Sequence, residues 1–195
     1  MSRILVIRSS ANGEASVSNR LIDAYLAAHP EAHVTERDLD ANPVPHVTSA
    51  SLAGIGRHAP EGDKFAETRA LQDTLIAEVF DADLVVIGLP MYNFGMPSTL
   101  KSWFDFVGRA GTTFQYTAQG PEGLVKGKKA VIAHARAGKY DDASGFPFAL
   151  AHTKALLSFI GITAVETVIA EGMAFGPDAA EAAIRNAVTQ IANIA

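Results

Sequence analysis

Cysteine is missing altogether from these 195 residues, which excludes disulfides, thiolate metal sites and cysteine nucleophiles at once. Long apolar runs are missing too. None nears the ~18 residues of a membrane span, and the run in "MSRILVIRSS" is too short for a secretory signal. Positive charge is in deficit, at a formal net charge of -5, and no basic cluster stands out beyond Lys126, Lys128 and Lys129. That trio reads as a solvated strand entrance, not a surface for nucleic-acid phosphates. The expectation is a cytoplasmic protein that engages neither nucleic acid nor membrane. The six histidines show no metal-ligand spacing, and neither H-E-x-x-H nor G-x-S-x-G occurs, so metalloprotease and hydrolase-elbow chemistry drop out. Gly54, Gly56 and Ala59 fit the letters of a dinucleotide fingerprint, but no strand precedes them and Pro60 follows.

What is present suits one domain over 1–195: 48% hydrophobic residues can build a core, and 19% charged residues are ordinary for a globular chain. "RILVIRSS" (Arg3 to Ser10) reads as a buried parallel strand. A helix is predicted over Ser16 to His29, with Leu21, Ile22, Tyr25 and Leu26 on one face and Pro30 as its stop. "HVTERDL" reads as a second strand. Ala41 to Gly62, rich in glycine and proline, reads as loop with one short helix around Ser49 to Gly56. Lys64 to Phe80 reads as a helix, Asp83 to Leu89 as a third strand, and Pro97 to about Val107 as a helix opened by proline. "TTFQYT" (Thr112 to Thr117) is a candidate hairpin arm before a break at Gly120 and Pro121. Then follow a strand over Lys128 to Ala135, a helix over Phe146 to Ile160 ended by Gly161, a strand in "ITAVETVIA" and a closing helix over Pro177 to Ile194. Five strands alternating with helices predict an α/β, doubly wound five-stranded parallel sheet with helices on both faces. Ligands of such sheets sit beyond the carboxyl ends of the strands, which singles out three loops.

The first loop holds Ser9, Ser10, Asn12, Gly13, Ser16 and Ser18 before a helix start. Hydroxyls, free backbone N–H groups and a helix N-terminus suit one phosphate monoester, or the serines merely cap the helix. In the second, Met91, Tyr92, Asn93 and Phe94 offer flat apolar surface, and their backbone can read the edge of a heterocycle. Such a loop otherwise folds on its own core or on a second subunit. The third begins His134, Ala135, Arg136, Ala137, Gly138. Arg136 can steady negative charge; His134 reads better as a buried strand residue than as a base, and Tyr140 either reaches the pocket or lies on the surface.

With these loops in place, the chain resembles the FMN-dependent NADH:quinone oxidoreductases of the azoreductase family, flavodoxin-like in fold. The likeness runs through "ILVIRSS", "PMYNF", "LKSWFDFVGRAGTTFQYT", "GPEGLVKGKKA", "LSFIGIT" and "AEGMAFGP". It implies an FMN cofactor, NADH or NADPH as reductant, a quinone or azo substrate, ping-pong turnover and a homodimer with interfacial sites. It also implies that Ser10, Ser16, Val17 and Ser18 meet the phosphate and ribityl chain. The flavin ring is then expected on Met91, Tyr92, Asn93 and Phe94, with Ala135, Arg136, Ala137 and Gly138 at its edge. Related chains read Ser-Arg-Gly-Gly where this one has Ala135 to Gly138, so a hydroxyl is lost and Ala137 stands where glycine is free to take positive φ. A histidine shortly beyond that loop in relatives corresponds to Tyr140. The resemblance places Tyr116, Phe159 (from a partner subunit, unless it simply packs into the core on its own helix), Tyr140 and Arg57 around the substrate, and leaves catalysis to the flavin. Two alternatives stay open: a flavodoxin-type electron carrier and a non-catalytic binding module.

Overall fold

Four of the six side chains of strand β1 (Arg3–Arg8) are buried because both faces of its sheet are covered. The computed structural model describes residues 1–56, 63–141 and 146–194. After β1 come helix α1 (Val17–Ala28), strand β2 (His33–Asp38), the one-turn helix α2 (Ser49–Leu52) and helix α3 (Asp63–Asp81). Strand β3 (Leu84–Pro90) and helix α4 (Ser98–Val107) lead into a hairpin of β4 (Phe114–Thr117) and β5 (Gly120–Gly123). Strand β6 (Lys129–Arg136), helix α5 (Phe148–Ile160), strand β7 (Ala164–Glu171) and helix α6 (Pro177–Ala192) complete the chain.

Five strands pair in parallel in the order β2-β1-β3-β6-β7, as the doubly wound expectation requires. Side chains alternate between faces. Leu5, Ile7, Val85, Ile87 and Ile132 meet α3, α4 and α5, with Trp103 fully buried among them. Ile4, Val6, Val86, Val131 and Val168 meet Leu21, Ile22 and Tyr25 of α1 and Ile191 of α6. Edge strand β2 shows a largely exposed, charged face, which discourages further strand pairing.

The break expected at Gly120 and Pro121 is instead the second arm of the hairpin, where Tyr116 pairs with Pro121. The arm tucks against the end of α5, and a Cβ on Gly123 would stand 2.1 Å from the Gly161 nitrogen. Gly161 itself, at φ +111°, ends α5 as the Ile162 N–H closes onto Leu157 O. β1 sends the chain outward to β2 and its other neighbour is β3, so the topological switch lies between the carboxyl ends of β1 and β3.

Candidate functional site

The three loops singled out from sequence converge beyond that switch. The Tyr92 hydroxyl accepts the Ala11 N–H at 3.0 Å and shares a 3.4 Å hydrogen bond with Ser10, tying the second loop to the first. The Met91 N–H donates to Ala135 O at 2.9 Å, which extends the β3–β6 ladder and ties the second loop to the third. Between them lies a cavity of about 370 Å³. Ser10, Ser16, Val17, Ser18, Met91, Tyr92, Ala135, Arg136 and Ala137, all expected from sequence, line it.

Its polar end is built by the start of α1. Ser16 caps the helix, its Oγ accepting the Asn19 N–H at 3.1 Å, and its hydroxyl lies 3.2 Å from that of Ser18. Both serines are buried. The amides of Val17 and Ser18 stand in the first turn, where the helix supplies no carbonyl to them. This end presents neutral donors and a positive dipole end without a lysine, which matches a phosphate monoester. The capping and anion-site readings of the serines are therefore compatible.

The apolar wall follows from a tight turn. Tyr92 and Gly95 exchange both backbone hydrogen bonds at 3.0 Å around Asn93 (φ 48°) and Phe94 (φ 71°), the primed geometry of a two-residue hairpin. Asparagine tolerates this left-handed region; phenylalanine is strained there. What holds it is the Phe94 carbonyl, which accepts the N–H groups of Phe148 and Ala149 at 2.8 and 2.9 Å. Those are first-turn donors of α5 that the helix leaves unpaired. Asn93 and Phe94 thus flank the cavity without lining it.

Arg136 lines the cavity, yet its charge is committed. It donates to Glu171 through Nε (2.9 Å) and Nη2 (2.5 Å) and is only 7% exposed. The β6–β7 register puts the two residues opposite each other. Its guanidinium carbon stands 5.6 Å from the centre of the Tyr140 ring, which holds Tyr140 next to the site through a cation–π contact. Ala137 does not take positive φ, so alanine imposes no backbone strain on this loop. His134 is fully buried, with Nδ1 at 2.8 Å from Leu89 O. Burial holds its pKa below the ordinary imidazole value, against the pull of that hydrogen bond, so the ring is neutral near pH 7 and acts as a strand residue.

Gly138 lies beyond the lining, and Tyr116 and Phe159 are elsewhere. Tyr116 is 75% exposed and packs edge-on to Phe114, whose ring centre is 4.3 Å from that of Phe159. This cluster sits at the carboxyl end of α5, whereas Phe94 sits at its start. At 1.5 Å per residue the two are about 16 Å apart along the helix. Arg57 lies outside the described residues. Ala15, Pro90 and Met173 line the cavity without having been singled out, as does Asn12, known from sequence only as a loop residue. Met173 stands in "AEGMAFGP", but it takes the hydrogen bonds from Ala174 N–H to Ala137 O (3.0 Å) and from Gly172 N–H to Gly138 O (3.4 Å) to reveal that this segment borders the third loop.

The chain matches the family described as "Flavodoxin-like fold" over residues 2–195. It is 50% identical to an FMN-dependent NADH:quinone oxidoreductase of Hyphomonas neptunium, over 100% of this chain and 96% of the relative. It is 44% identical to one from Shewanella amazonensis, over 98% of each chain. Among solved structures it is similar to an azoreductase from Bacillus anthracis, at 32% identity and a TM-score of 0.87 over 98% of this chain and 97% of that one.

Proposed function

The chain belongs to the flavodoxin-like fold family and within it to the FMN-dependent NADH:quinone oxidoreductases, and from that premise we propose that the cavity between the three loops is its FMN site. The observation that carries this reading is the pairing of a neutral, cation-free phosphate cradle at α1 with a flat apolar wall at Met91 and Tyr92, in one cavity at the switch point. Ser10, Ser16 and Ser18, with the Val17 and Ser18 amides, would hold the phosphate. Met91 and Tyr92 would hold the ring, with Asn93 and Phe94 flanking it, and the loop Ala135 to Gly138 would border its other edge. Bound FMN supplies the redox chemistry, accepting two electrons from a nicotinamide and giving them to a quinone or azo compound.

The protein's own part is position, exclusion of water and field. The α1 dipole favours the phosphate, and Glu171 balances Arg136, so the cavity edge presents a paired dipole instead of a free cation. Neither a nucleophile triad nor a titrating base is needed, which agrees with a neutral, buried His134. NADH or NADPH and then the acceptor would occupy one cavity in turn, a ping-pong order. Tyr116 and Phe159 are too far along α5 to wall the cavity of their own chain, so their expected role requires a second subunit in a homodimer.

The test is the absorption spectrum of the FMN-loaded protein under anaerobic NADH. Bleaching of oxidised flavin, reversed by benzoquinone, is the expected result. Bound flavin that NADH cannot reduce would favour an electron carrier, and failure to bind FMN would overturn the cavity assignment.

A further inference from the structure

Of the residues that line the cavity, Arg136 alone carries a formal charge. Its side chain is 7% exposed and that of Glu171 is 33% exposed, so the cation sits in the drier place and the acid nearer water. Glu171 does not line the cavity and acts on it through Arg136, which donates to it from Nε and Nη2. The parallel register of β6 and β7 sets the two residues opposite each other, on one face of the sheet. The Tyr140 carbonyl accepts a further Nη2 hydrogen bond at 3.3 Å, and the Tyr140 ring stands against the guanidinium. Those contacts hold the cation in place without cancelling its charge. The carboxylate of Glu171 cancels it.

We propose that Glu171 is a tuning residue that sets the reduction potential of the flavin, by neutralising the one charge in the cavity lining. The proposal rests on the reading that this cavity binds FMN. A hydride from a nicotinamide brings two electrons and one proton, so the ring that accepts it is left with one negative charge. A free guanidinium in the lining would favour that charged form over the neutral oxidised one, and a guanidinium paired with a carboxylate favours it far less. The pair therefore holds the flavin at a lower potential, as a stronger donor to its acceptor. Arginine stays protonated whether or not it is paired, so removing the acid uncovers a full positive charge. Salt damps that charge little, because the guanidinium is buried.

The test is a spectrophotometric redox titration of the FMN-loaded protein against a reference dye, with dithionite as reductant, so that neither NADH nor quinone is present. In Glu171→Gln the ratio of reduced to oxidised flavin at a fixed poise rises roughly tenfold, which is about 30 mV for two electrons. Arg136→Met, which strips the cation and keeps the acid, lowers that ratio. The double variant, neutral at both positions, returns to the parent ratio. A loosened loop would move both single variants the same way and the double variant further, so opposite signs that cancel are the signature of charge. An unchanged ratio in Glu171→Gln, shifts of one sign in both single variants, or a double variant that does not return overturns the proposal. Should Glu171→Gln fail to fold, Arg136→Met decides alone: a lowered ratio supports the proposal, and an unchanged or raised one overturns it. A parent that binds no FMN removes the site and the proposal with it. Opposite shifts in a protein whose flavin NADH cannot reduce would leave Glu171 in its role and sink the oxidoreductase reading instead.

Discussion

Phe94 does two separable things. Its backbone, at φ 71°, closes the turn and offers a carbonyl to α5; its ring flanks the cavity. Only glycine adopts that φ without cost, and the left-handed conformation costs a residue with a Cβ roughly 1–2 kcal/mol. Phe94→Gly therefore removes the ring while relaxing the turn. The expected outcome is a melting temperature equal to or above that of the parent, with FMN affinity lowered roughly 3- to 10-fold, as one aromatic contact would predict. Thermal melts of the apoprotein and a fluorescence titration with FMN read the two effects separately. Unchanged FMN affinity would show that the ring does not touch the flavin. Arg136 makes the same point about residue type and role: a guanidinium was expected to face developing negative charge, and the structure commits it to Glu171.

At the scale of elements, one buried amide ties together parts that share no sheet. Gln72 of α3 is fully buried, and its Nε2 donates to Ile55 O at 2.8 Å and to Phe106 O at 2.9 Å. Its Oε1 accepts from Arg69 (3.1 Å) and Arg109 (3.3 Å). Arg69 also reaches Gly56 O at 2.7 Å, and Arg109 pairs with Asp73. The residue thus anchors the segment after α2 to the end of α4, next to the hairpin that carries Tyr116. Gln72→Leu fills similar space but leaves two buried carbonyls without that donor, each worth about 1–3 kcal/mol. A loss of about 2 kcal/mol or more is expected, or roughly 4–8 °C in Tm for a chain of this size. Amide exchange over residues 49–56 should quicken more than in the central strands. An unchanged Tm would mean that the network is slack.

At the scale of the whole molecule, the length of α5 separates two groups of candidate residues. Phe94, Tyr140 and Phe146 gather at its start, and Phe114, Tyr116 and Phe159 at its end. On the proposed reading that both groups serve one flavin, the second group would come from a second copy of the chain. Turnover per chain should therefore fall on dilution in step with dimer dissociation, followed by light scattering and NADH–quinone assay on the same samples. Fully active monomers would contradict the interfacial site.

The amino-acid sequence alone determined the strands and helices, the five-stranded parallel sheet and the three loops at its carboxyl edge. Those depend on local signals: apolar runs such as Ile4 to Ile7, helical spacing such as Leu71 to Val79, and the punctuation of glycine and proline. The serines at α1 were legible for the same reason, since a cap and an anion cradle are both written within three residues. Only the tertiary structure decided that Gly120 to Gly123 is a strand, that Arg136 is neutralised across 35 positions by Glu171, and that Phe94 is pinned by α5. It also placed Met173 in the cavity and kept Phe159 out of it. The hairpin joins near neighbours, and its second arm reads locally as a break because it carries Gly120 and Pro121; each of the others is a pairing between residues distant in the chain, set by register and packing, which no local pattern encodes.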